Sequence, residues 1–150
     1  MKHQSDSGVQ QEAEAGILAS VAAEVGVELK QNVRLDLGDA YVQVDGASPD
    51  ESLIVEVFAR VGRLAGGQLH KVSTDSLKLI ALRQSRPDAR MLLAFASEEA
   101  ASSVVGWRRQ AIQMWGIEIV TVQPDERTRQ AILDAQEQQK MVNPPLGESD

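Results

Sequence analysis

Apolar residues recur at helical spacing from about Gln10 to Val25, where Ile17, Leu18, Val21, Ala22 and Val25 form one stripe and Gly26 is the stop. Glu14 falls in the middle of that stripe on a helical wheel, whereas Glu12 points away. From Val27 to Leu37 the period shortens to two, with Val33, Leu35 and Leu37 alternating against Arg34 and Asp36. Leu37-Gly38-Asp39-Ala40 predicts a hairpin turn, Tyr41 to Asp45 a second strand, and Gly46 to Glu51 a loop. Leu53 to Arg60 is apolar on both faces apart from Glu56, the pattern of a strand covered on both sides of a sheet.

Gly62, Gly66 and Gly67 mark a loop, and Gln68 to Arg83 reads as a second helix. Met91 to Ala96 is a short apolar strand. Ser97 is suited to cap a third helix, with Glu98 and Glu99 in its first turn and Trp115-Gly116 at its end. Ile117 to Val122 predicts a strand, and Pro124-Asp125-Glu126 opens a helix to about Gln139. The order α-β-β-β-α-β-α-β-α predicts an α/β fold, a mixed sheet flanked by helices. An antiparallel meander comes first, and the crossover through the second helix brings the next strand in parallel. One domain is expected over residues 10–142, with flexible tails at 1–9 and 143–150.

Composition narrows the chemistry. The chain of 150 residues has 43% hydrophobic content, enough for one core of ordinary size. It has no cysteine and only two histidines, His3 and His70, so thiolate and histidine-rich metal sites are excluded. A bound metal would be a hard cation on oxygen ligands, Mg²⁺ or Mn²⁺. No apolar run approaches the roughly 18–20 residues of a membrane span, and Met1 to Ser7 is too polar for a signal peptide. A cytoplasmic protein without a membrane partner is expected. The net charge is −7, but residues 60–90 carry seven basic side chains against two acidic ones, a net +5, so the other 119 residues carry −12. Such a basic segment fits docking on a polyanion; ordinary solvated surface charge is the alternative.

Asp45 and Glu56 stand out because each interrupts a segment suited to burial, where an ionised carboxylate is costly unless paired or metal-bound. If their strands are neighbours, the two acids can share a cation. Helix two adds Lys71, Asp75 and Lys78 on one face, flanked by Gln68. The bland alternative is an exposed Lys71–Asp75 pair, with Glu56 satisfied by Arg60 or a lysine. Ser48 and Ser73 lack an activating base at motif spacing, and Gly66-Gly67 lacks the lysine and hydroxyl residue of a phosphate-binding loop. Trp107 reads as a core or dimer anchor rather than, with Arg108 and Arg109, a phosphate contact. Five aromatic residues are too few for base-stacking platforms.

An acid on the first helix, Asp45 at a strand end and Glu56 on the next strand, followed by Gly66-Gly67-Gln68-Leu69-His70-Lys71-Val72 and Asp75-Ser76-Leu77-Lys78-Leu79, resemble the PD-(D/E)XK nuclease superfamily. The likeness covers about Glu14 to Val122 and implies a restriction-endonuclease-like fold. It implies Mg²⁺ or Mn²⁺ on Asp45 and Glu56, with Glu14 as an optional third acid, and hydrolysis of double-stranded DNA. A core of this size leaves little room for a separate target-recognition region, so a partner or a homodimer is expected to supply specificity. The family's water-activating lysine stands two residues after the second acid, where this chain has Phe58. Some branches move that lysine to the following helix, which nominates Lys71 first and Lys78 second, with Gln68 positioning the water or touching the phosphate. Arg60, Arg63, Lys78 and Arg83 are the expected nucleic-acid contacts. The rival expectations are a catalytically inactive relative that binds nucleic acid or protein, and a globular protein whose acids are merely salt-bridged.

Overall fold

The computed structural model describes residues 4–142. Its elements are α1 (Gln4–Val25), β1 (Lys30–Asp36), β2 (Tyr41–Ala47), β3 (Leu53–Phe58), α2 (Gly67–Ser85), β4 (Arg90–Phe95), α3 (Glu98–Ser102), α4 (Gly106–Met114), β5 (Ile117–Thr121) and α5 (Glu126–Val142). The five strands form one sheet in the order β1-β2-β3-β4-β5. β1, β2 and β3 are antiparallel neighbours, whereas β3, β4 and β5 run parallel. The molecule is thus an α/β protein with a mixed open sheet flanked by helices, as the alternation of periods predicts. No helix among the described residues is long and apolar enough to cross a membrane.

The sheet separates two apolar layers. On one face α1 and α5 lay Ala13, Ile17, Leu18, Val21 and Ile132 against Leu53, Val55, Val57, Leu92 and Ala94. On the other, Val72, Leu79 and Leu82 of α2 and Ile112 of α4 cover Ile54, Phe58, Met91, Leu93 and Phe95. β3 is buried along its whole length, which explains its continuous apolar run, and its alternation aims Ile54, Glu56 and Phe58 at α2. α1 and α5 approach closely where a Cβ on Gly16 would collide with the Thr128 side chain.

Several boundaries differ from expectation: β1 starts at Lys30 rather than Val27, and β3 ends at Phe58 rather than Arg60. α1 begins at Gln4 rather than near Gln10, so part of the expected tail is helical; residues 1–3 and the expected tail 143–150 lie outside the described residues. β2 continues through Asp45 to Ala47. The third predicted helix is two. Ser97 does cap α3, accepting from the Ala100 amide, but α3 closes at Ser102 and α4 starts at Gly106, whose φ of 66° breaks the helical path. Arg109 donates to the Ala101 and Val104 carbonyls and so satisfies the end of α3. Trp107 is not a core residue: it is 75% exposed.

Candidate active site

The site begins as a fault in the sheet. β2 pairs with β3 only at Gly46–Val55 and Ala47–Ile54, while on its other edge the register with β1 skips Asp45, opposite Asn32 at φ 56°. Beyond Gly46 the acids replace the backbone ladder. The Asp45 amide donates to Glu56 Oε1 at 3.0 Å, and the Val57 amide donates to Asp45 Oδ2 at 2.7 Å. Two carboxylates are therefore held between β2 and β3 by main-chain donors.

α2 brings the cations. Lys78 Nζ lies 2.7 Å from Glu56 Oε2, 3.5 Å from Asp75 Oδ1, and donates to the Gln43 carbonyl at 2.8 Å. Lys71 Nζ lies 2.7 Å from Asp75 Oδ2 and 5.4 Å from the centre of the Phe58 ring, which itself stacks on Phe95. Lysines 71 and 78 sit about two turns, roughly 10 Å, apart along the helix axis. Of the two candidates for the migrated lysine, it is Lys78, the second, that pairs directly with Glu56. Asp75, with 4% of its surface exposed, bridges the two. The pair Lys71–Asp75 is thus not an exposed surface pair on its acidic side.

Glu56 is fully buried, 0% exposed. Burial, then the nearby charges of Asp45 and Asp75, outweigh Lys78 and push its carboxyl up to about 8. Lys78 approaches Oε2 off the line of a hydrogen bond, so that oxygen remains a buried acceptor without one. Glu14 reaches the cluster from the opposite layer. Burial raises its carboxyl above the ordinary value against a hydrogen bond from Gln10, and the Asp45 charge adds to the rise. Burial disfavours the charged form of Lys78, but its pairing with Glu56, then Asp75 and Asp45, raises it above the ordinary lysine value. If all were ionised, four carboxylates (Glu14, Asp45, Glu56, Asp75) would face two ammonium groups, an excess of two negative charges.

Other expected residues stand apart. Gln68 accepts from the Ala65 amide and serves the start of α2. Arg83 holds the carbonyls of Ala89, Trp115 and Gly116, a brace across the chain rather than a free contact. Arg60 is half-buried with Nε lacking a partner, and Arg63 is exposed. Arg86 and Arg90 pair with Glu51 and Glu118, and Arg108 donates to Ser73. Much of the positive segment is thus consumed inside the chain. Asp75 was legible as sharing a helix face with Lys71 and Lys78, but neither its burial beside Val72, Ser76, Leu79 and Leu82 nor its bridging of the two lysines was. Two shallow hollows, of about 450 and 580 Å³, lie by Arg86 and between α1 and α5, away from the acids.

Comparison with family models, curated proteins and solved structures finds no match to this chain.

Proposed function

We propose that this chain is a PD-(D/E)XK-type nuclease of restriction-endonuclease-like fold that hydrolyses DNA phosphodiester bonds with Mg²⁺ or Mn²⁺. One observation carries the reading: a fully buried Glu56, with Asp45 beside it and Lys78 at 2.7 Å, inside a cluster carrying more acids than cations. Further support comes from the element order, and from the Lys71 ammonium lying against Phe58, where the family's lysine would stand.

The donors fit the metal in kind. They are hard oxygens, one of them a buried acceptor without a hydrogen bond. Among the described residues no group of three or more acidic, histidine or cysteine side chains converges as a metal cage. That is compatible with Mg²⁺, which commonly binds one or two carboxylates and completes its shell with water and substrate phosphate. Asp45 and Glu56 would hold it, with Glu14 assisting; bound, it would polarise a phosphoryl oxygen and acidify water. The chain's own residues supply the rest. Main-chain amides of Asp45 and Val57 fix the two carboxylates, Lys78 balances Glu56, and Lys71 offers positive charge to the phosphate as negative charge builds on it.

The test is cleavage of duplex DNA by the full chain with Mn²⁺ or Mg²⁺, together with calorimetric titration of Mn²⁺. Metal uptake and cleavage, both lost in Glu56→Gln, are the expected results. Mn²⁺ uptake without cleavage of any DNA form would favour the second reading, a catalytically inactive binding subunit. That reading draws on Phe58 at the family's lysine position and on the existing pairing of Glu56 and Asp75 with lysines. No uptake at all would leave the acids as a structural network.

A further inference from the structure

We propose that Asp75 is the positioning residue of this site, its buried carboxylate fixing Lys71 at the rim, facing an incoming phosphodiester oxygen, while it steers Lys78 onto Glu56. The inference rests on the nuclease reading and adds a division of labour between the two lysines. An ammonium has three donors. Lys78 has Glu56, the Gln43 carbonyl and Asp75 around its ammonium and a side chain only 28% exposed, so it offers a substrate less than Lys71 does. Lys71 contacts one acid, Asp75, and its side chain remains 58% exposed, so it keeps donors for a phosphate oxygen. A free lysine loses rotamer entropy when it is fixed. Asp75 meets part of that cost before substrate arrives, because its two oxygens hold both ammonium groups from one buried point. An ordinary surface pair would need neither the burial of its acid nor a second lysine on it.

Two measurements on the full chain test this. The first is labelling of lysines with acetic anhydride, read by mass spectrometry, with exposed Lys30 and Lys140 as references. In folded Asp75→Asn, labelling of Lys71 is expected to rise by about threefold or more, since loss of a charge-assisted bond frees the ammonium. Unchanged Lys71 labelling overturns the proposal. If D75N does not fold, the charge-balanced D75N/K78M variant carries the same labelling test. The second is cleavage of duplex DNA with Mn²⁺ by wild type, D75N, K71M and D75N/K71M. Each single change is expected to lower kcat/KM by about tenfold, and the double change by no more than either, because interacting residues lose their coupling together. Losses that multiply, or wild-type activity in D75N, overturn it. If the wild type cleaves no DNA, the nuclease reading falls, and the labelling alone decides whether Asp75 positions Lys71.

Discussion

The two edges of β3 are built differently. Toward β4 the strand pairs in parallel at six consecutive positions, from Leu53–Arg90 to Phe58–Phe95, and every residue of both strands except Arg90 is buried. Toward β2 it pairs at two positions, after which Asp45 and Glu56 take over with carboxylate-to-amide bonds. One edge is a regular ladder embedded in hydrocarbon, and the other gives up regular pairing to hold charge. Local departures from regular structure persist only where the surroundings enforce them, and they concentrate at functional sites. Here the completed edge supplies the rigidity that lets the interrupted edge hold its acids.

The largest effect expected from breaking this contrast is at Glu56. Glu56→Gln should lower metal-supported DNA cleavage by at least about 10³-fold, roughly 4 kcal/mol of transition-state stabilisation, while leaving thermal stability unchanged or higher. A neutral side chain at a site whose acid is pushed to about 8 removes a burial cost. Loss of folding with loss of activity would show that the two edges are not separable. On the ladder edge the reverse is expected. Leu93→Ala removes a fully buried side chain and should cost about 2–5 kcal/mol in denaturant unfolding, with metal uptake retained in the folded fraction.

The pH dependence sharpens the same contrast. Below the ordinary value of 4.5 Glu56 is protonated in both the folded and the unfolded chain and contributes no slope. Between 4.5 and about 8 the unfolded chain releases a proton that the folded chain keeps, so stability falls as pH rises. The slope is at most about 1.4 kcal/mol per pH unit, and it flattens above the folded value. Urea unfolding of wild type and Glu56→Gln across pH 5–9 should isolate it as a difference that grows toward pH 8. A constant difference would contradict the raised carboxyl. The smallest effect belongs to Arg90–Glu118, a two-bond but exposed pair across β4 and β5. Arg90→Ala should change stability by less than about 1 kcal/mol, because solvent and salt screen such pairs.

The elements were legible wherever one period dominates. The alternation of Val33, Leu35 and Leu37, the turn at Gly38 and the unbroken run of β3 led to the meander and the parallel crossover. The break between α3 and α4 was not, because Val104, Val105 and Trp107 continue an apolar pattern across Gly106, and only the backbone angle there ends it. Asp45 and Glu56 were legible as charges in apolar segments. The partner of Glu56 was not: helical phase puts Lys71, Asp75 and Lys78 on one face but says nothing of which turn lies opposite β3.

What the sequence determined by itself is the order of strands and helices, apart from the split of the third helix, and the two acids that burial would penalise, because those follow from side-chain periodicity and desolvation, which are local properties. Tertiary structure alone decided that β2 leaves β3 after two pairs, that Lys78 meets Glu56, and that Asp75 joins two lysines. Those outcomes depend on how α2 is seated along the sheet. The position of a packed helix along its own axis is set by the fit of every side chain beneath it, and no single stretch of the chain encodes that.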